Sequence, residues 1–147
     1  MKLVAVGVGP GDPELITLKA LRRLAEADLV LVPLSRKGRP SVAREIVSAH
    51  LDVEMKPFIF PMVKDESVRN EAILEQVEKI RPLWEGRETV ALPVIGDAAL
   101  YATAAYLYDA WKNIVPDLDL ELVPGVSAHS LASSRTRSFL ALGTERL

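Results

Sequence analysis

The run Met1-Lys2-Leu3-Val4-Ala5-Val6-Gly7-Val8-Gly9-Pro10-Gly11-Asp12-Pro13 limits the possible folds more than any other segment of the chain. A continuous apolar run passes directly into a glycine-rich turn. Asp12 followed by Pro13 reads as a helix N-cap with proline at the first helical position. Unbroken apolar strands belong to sheets buried on both faces. A turn poor in side chains at the end of such a strand lets a ligand reach main-chain N–H and C=O groups, and open α/β sheets bind ligands at that end. The first residues therefore point to a fold class and to the edge where a site lies.

The turn resembles a dinucleotide fingerprint but fails its spacing. Glycines are needed at the first, third and sixth positions; the sixth here is Asp12, and Gly11 comes one residue too early. A carboxylate at the helix start would repel a pyrophosphate on that terminus. The second apolar run, Val30-Leu31-Val32-Pro33, closes without an acidic residue for a ribose. A phosphate-binding P-loop is excluded because no Gly-Lys-Ser/Thr follows the turn. The turn suits a ligand that is not strongly anionic.

Strand-like and helix-like runs alternate along the rest of the chain, as βαβ units with a parallel sheet require. Pro13 to Glu26 has Leu15, Ile16, Leu18, Leu21 and Leu24 at helical spacing. Leu29 to Val32 reads as a second strand, Ser41 to His50 as a helix and Met55 to Phe60 as a third strand. Glu66 to Trp84 predicts an amphipathic surface helix ending around Pro82 and Gly86, and Thr89 to Ile95 a fourth strand. Ala98 to Lys112 predicts an apolar helix, Leu118 to Val123 a fifth strand, and Ser127 to Ser134 a helix of small residues. The expected fold is a three-layer open α/β sheet of about five mainly parallel strands with helices on both faces. Glycine turns after Val6, Ile95 and Val123 then share one edge.

With 147 residues, 49% of them hydrophobic, residues 1–136 fit one α/β domain. Phe139-Leu140-Ala141-Leu142 reads as the start of another strand, so 137–147 are expected to be a linker and the beginning of a missing second domain, the alternative being an ordered C-terminal extension. Eighteen basic against twenty acidic residues give a net charge of −2, which argues against a nucleic-acid or anionic-membrane partner. Two histidines and no cysteine leave little for a protein-built metal site and fit a reducing cytosol. The N-terminus enters a strand without the apolar core of a signal peptide. No apolar run approaches the roughly 20 residues that cross a bilayer. A cytoplasmic protein is expected.

Several residues have two readings. Asp97, after a buried strand, is either a cleft carboxylate or a cap for the following helix. Tyr101 lies one helical turn beyond Asp97, so the two are expected to share a face. The basic loop Arg36-Lys37-Gly38-Arg39 leaves the second strand at the ligand edge, as an anion contact or as a solvated turn. His129 is expected to be a partly buried structural histidine, and His50 closes a helix, where positive charge is favoured.

Three segments together carry a family resemblance: Val6 to Ala20 around Gly7-Val8-Gly9-Pro10-Gly11-Asp12-Pro13, then Gly96-Asp97-Ala98-Ala99-Leu100-Tyr101-Ala102-Thr103, then Val123-Pro124-Gly125-Val126-Ser127-Ala128. The chain resembles the tetrapyrrole methylases. Within them it is similar to the precorrin-2 or cobalt-factor II C(20)-methyltransferases, through Tyr101-Ala102-Thr103, Phe60-Pro61-Met62, Arg39-Pro40-Ser41 and Gly143-Thr144-Glu145-Arg146-Leu147. The resemblance implies the N-terminal domain of a two-domain, typically dimeric enzyme of cobalamin synthesis that takes its methyl group from S-adenosylmethionine. It implies cofactor contacts at Gly9, Pro10, Ile95, Gly96, Asp97, Leu100, Ser127 and Ala128, and reaction-site roles for Asp97 and Tyr101. It also implies contacts from Arg36, Lys37 and Arg39 to the carboxylates of a tetrapyrrole, with any cobalt arriving inside the substrate. Ala98 departs from the family, which usually has proline there. Uroporphyrinogen-III methyltransferase and diphthine synthase are alternatives within the superfamily. A non-catalytic ligand-binding or interaction module is the alternative of another class.

Overall fold

The computed structural model describes residues 1–36 and 38–146, so Lys37 and Leu147 lie outside the described residues. Five strands form one parallel sheet: β1 (Lys2–Gly7), β2 (Leu29–Leu34), β3 (Met55–Ile59), β4 (Thr89–Val94) and β5 (Asp119–Val123), in the order β3-β2-β4-β1-β5. The helices are α1 (Leu18–Glu26), α2 (Val42–Ser48), α3 (Glu66–Lys79), α4 (Arg81–Trp84), α5 (Ala104–Lys112) and α6 (Ala128–Thr136). The expected α/β sheet is therefore present, and all its pairings are parallel.

Alternation along the strands builds two cores. Leu3, Ala5, Leu29, Leu31, Val90, Leu92 and Val94 face one side and pack with Ile73, Val77, Trp84, Leu107 and Trp111 of α3, α4 and α5. Val4, Val6, Val30, Val32 and Ala91 face the other and pack with Ala20 and Leu24 of α1 and Ala43, Ile46 and Val47 of α2. Successive side chains of a strand point to opposite faces, so strands apolar at every position need helices on both sides. The chain winds from β1 to β3 with helices on one face and returns through β4 to β5 with helices on the other.

The ladder is incomplete where it matters most. β2 pairs with β4 at Leu29–Val90 and Val30–Ala91. Further along, Pro33 and Pro93 have no N–H to donate. At their carboxyl ends these two strands therefore separate, and a cavity opens beside them.

Four expectations are corrected. The segment from Pro13 is two elements, a 3-10 turn at Pro13–Leu15 capped by Asp12 and then α1 capped by Thr17. The amphipathic segment breaks at Ile80 into α3 and α4, because Pro82 cannot supply an interior helical N–H. The helix expected from Ala98 begins only at Ala104. Phe139–Leu142 is not a strand, and Phe139, Leu140 and Leu142 are exposed.

Candidate functional site

Three strand-end turns meet at one point of the carboxyl edge. Gly9 and Gly96 form an antiparallel bridge: Gly96 N–H donates to Gly9 O at 2.8 Å and Gly9 N–H to Gly96 O at 3.2 Å. Gly9 (φ 84°) and Gly96 (φ 77°) occupy the left-handed region, which glycine enters without strain. A Cβ on Gly7 would stand 2.7 Å from Gly125 N and 2.8 Å from Gly96 O, so the turns after β1, β4 and β5 touch backbone to backbone. Gly7 and Gly125 are members of the site that the sequence reading missed. Their signal was present in the paired glycine turns, but not the distance between them.

Asp97 locks this junction. Its Oδ1 accepts from Ala99 N–H at 2.8 Å and its Oδ2 from Gly125 N–H at 2.9 Å. Both carboxylate oxygens are thus engaged with backbone, so the side chain ties the β4 turn to the β5 turn. Ser127 caps α6 through Ser130 N–H at 3.3 Å, and Ala128 is the exposed first residue of that helix. On the β1 turn, Pro10 follows Gly9 and is half-buried, and His50 bonds its Nε2 to the Pro13 carbonyl at 2.7 Å. A Cβ on Gly96 would come no closer than 4.0 Å to Ser127 Cα and Val126 O, so space lies open over Gly96. Ile95 and Leu100, both about half exposed, are the large apolar side chains beside that space in sequence.

The cavity of about 360 Å³ beside the separated strands is lined by Pro33, Leu34, Ser41, Phe60, Val94 and Ile95 among others. Its walls come from β2, β4, the start of α2 and the loop after β3. Ser41 is buried there, donating to Pro33 O and capping α2 through Arg44 N–H. Tyr101, Ala102 and Thr103 close another side. Tyr101 is 97% exposed and has φ 51°. It stands in an irregular turn, and the expected shared helical face with Asp97 does not exist. Ala98, at the usual proline position, is buried.

The loop after β2 reaches this edge as expected, with Ser35 and Pro40 on the cavity wall. Arg36 and Arg39 are exposed and form no ion pair among the described residues, and the expected contact from Lys37 lies outside those residues. His129 is exposed on α6, so its expected burial is corrected. That helix has no buried residue to hold it.

The model for the family described as Tetrapyrrole (Corrin/Porphyrin) Methylases matches residues 2–147. The chain belongs to the tetrapyrrole methylase family. It is 36% identical, over 147 residues, to a Methanocaldococcus jannaschii protein named "Probable cobalt-precorrin-2 C(20)-methyltransferase", covering 99% of this chain and 62% of that protein. It is 32% identical to the cobalt-precorrin-2 C(20)-methyltransferase of Salmonella typhimurium, covering 99% of this chain and 61% of the relative. The chain thus spans about three fifths of the length of these curated relatives. Among solved structures, a Corynebacterium diphtheriae protein titled "putative cobalamin synthesis related protein (CobF)" superposes with TM-score 0.77 at 22% identity, covering 99% of this chain and 62% of that one. The cobalt precorrin-4 methyltransferase CbiF superposes with TM-score 0.62 at 27% identity, covering 97% and 53%. In this member of the tetrapyrrole methylase family, the glycine junction and the cavity lie on one edge of the sheet.

Proposed function

We propose that this chain is the N-terminal half of an S-adenosylmethionine-dependent methyltransferase that methylates carbon 20 of precorrin-2 or its cobalt form in cobalamin synthesis. The observation that carries the reading is the glycine junction: the bridged turns of Gly9 and Gly96 stand at the edge without side chains, with open space over Gly96 and the carboxylate of Asp12 nearby in sequence. A sulfonium donor without phosphate suits that setting, whereas a pyrophosphate does not. The named relatives support the choice of substrate.

When bound, the donor supplies an electrophilic methyl carbon. The protein holds donor and acceptor in line and excludes water, and such orientation lowers a barrier by up to roughly 7–11 kcal/mol. In this reading Gly9, Pro10, Ile95, Gly96, Leu100, Ser127 and Ala128 hold the donor. Asp97 fixes the turn that carries them, and Tyr101 contacts the acceptor in the adjoining cavity. Arg36 and Arg39 meet acceptor carboxylates, whose charge-assisted bonds to guanidinium are strong. Residues 1–136 form one domain, 137–147 lead into a second that completes the cleft, and the whole works as a dimer in the cytoplasm.

The test is methyl transfer by the gene product carrying both halves, using donor labelled with ¹³C in its methyl group and metal-free and cobalt-bound acceptors in parallel. Label on carbon 20 is expected. Label on another carbon contradicts the positional assignment, and ligand binding without transfer contradicts the enzyme reading.

A further inference from the structure

Arg69 lies in the first turn of α3, where the chain enters that helix from the loop carrying Phe60 and Met62 of the cavity wall. Its guanidinium lies over the ring of Tyr106, 4.0 Å from the centroid. Tyr106 is in the first turn of α5, directly after Tyr101, Ala102 and Thr103 of the same wall. Both residues therefore stand at the carboxyl edge, on the face opposite α2 and the Arg36–Arg39 loop.

Among the described residues, three arginines are partly shielded from solvent: Arg23, Arg69 and Arg81. Arg23 pairs with Glu121 and Glu26, and Arg81 with Glu78 and Glu85. Among the described residues Arg69 pairs with no carboxylate, although Asp65 caps its helix four residues before it and Glu66 lies three before it. Its Nε–H is buried without an acceptor. Burial of Nε leaves the terminal Nη groups to meet a carboxylate, and none among the described residues supplies one. A guanidinium stacked on an aromatic ring is pre-oriented, and its planar fork matches a carboxylate.

We propose that Arg69, held over the ring of Tyr106, determines acceptor specificity by gripping a peripheral carboxylate of the tetrapyrrole. This rests on the reading of the adjoining cavity as the acceptor site. With Nε buried, the ligand meets the terminal Nη pair end on. The acid groups of a macrocycle seated in the cavity project from its perimeter, so Arg69 takes them on the α3–α5 side and Arg36 with Arg39 on the α2 side. Tyr106 positions the guanidinium and does not itself touch the ligand.

The test uses two porphyrin acids, the octacarboxylate uroporphyrin I and the tetracarboxylate coproporphyrin I, with binding followed by porphyrin fluorescence anisotropy. The gene product carrying both halves is compared with its Arg69→Gln, Arg69→Met and Arg69→Lys variants; Met retains the stem that packs on Tyr106. The native protein is expected to prefer uroporphyrin. Gln and Met should weaken uroporphyrin binding about tenfold, as loss of one charge-assisted pair predicts, and should narrow the preference between the two acids. Lys should recover less than half of the loss, and S-adenosylmethionine affinity and the thermal midpoint should not move. Unchanged uroporphyrin affinity in Gln and Met, with weakened binding in an Arg36→Gln, Arg39→Gln variant, overturns the role of Arg69 and leaves the acceptor site standing. Full recovery in Lys overturns the requirement for a fork. A native protein carrying both halves that binds S-adenosylmethionine and neither porphyrin overturns the acceptor reading itself, and this proposal with it.

Discussion

Asp97 Oδ2 accepts from the backbone N–H of Gly125 at 2.9 Å, joining the turn after β4 to the turn after β5 across the end of β1. The other oxygen closes a tight turn on Ala99 N–H. A side chain that satisfies two backbone donors in adjacent turns fixes the local geometry whatever ligand is present.

Replacing Asp97 with Ala leaves both donors unpaired. Hydrogen bonds to charged groups contribute about 1.5–3 kcal/mol each at most, so a loss of about 2 kcal/mol in urea unfolding is expected together with weakened donor binding. Asp97→Asn should lose less, since its carbonyl oxygen still satisfies one of the two. Equal stability of Asp97→Ala and the native chain would show that the two bonds are dispensable.

Gly125→Ala should be more damaging than its size suggests. The added Cβ would press on Gly96 O and stand 2.7 Å from Gly7 C, with only backbone to move aside. Overpacking costs about 1–3 kcal/mol, and here it also forces the junction open. Gly86→Ala, where nothing lies within 4 Å, should cost only the strain of its φ of 79°. Thermal melts of the two variants compared side by side measure the difference.

Tyr101 holds φ 51° while almost wholly exposed, so its backbone strain has no packing reward. A left-handed conformation costs an L-residue roughly 1–2 kcal/mol. Tyr101→Gly should therefore stabilise the fold by up to about 1 kcal/mol while weakening tetrapyrrole binding. A variant that is stabilised and binds as before would remove Tyr101 from the acceptor site.

Glu121 on β5 bonds Arg23 of α1 at 2.8 Å, with Lys19 and Lys2 close by. The Arg23 hydrogen bond, opposed by partial burial, holds its carboxyl below the ordinary value of 4.5. A depressed carboxylate contributes stability that is complete above its unfolded-state value and is lost as pH falls through the folded one. The Glu121→Gln variant should thus lie below the native chain at pH 7 by no more than about 1 kcal/mol, given partial exposure, and the gap should close as the carboxylate is protonated in acid. A gap that persists in acid would assign the effect to packing.

The sheet was legible in the sequence because apolar runs such as Leu3–Val6 and Leu29–Val32 admit few alternatives. The cap at Asp12 and the shared edge of the glycine turns followed from local chemistry. The start of α5 was not legible: alanine and leucine from Ala98 to Ala102 suit a helix, yet Asp97 spends its carboxylate on Ala99 and Gly125 and the chain turns irregularly until Ala104. Gly7 and Gly125 looked ordinary because the contact that excludes a Cβ joins distant parts of the chain. Arg69 was hidden for the same reason, its ring partner lying on another helix. The opening between β2 and β4 was recorded in Pro33 and Pro93, but only the strand order gives those prolines their consequence.

The central claim is that the glycine junction binds a methyl donor, and backbone amide NMR during titration with S-adenosylmethionine tests it most directly, because it locates even weak binding. The account predicts saturable shifts at Gly9, Gly96, Ser127 and Ala128, absent at Asp28 and Arg87 on the opposite edge and abolished in Gly96→Val. Saturable shifts centred on the opposite edge, or none up to millimolar donor, would contradict it.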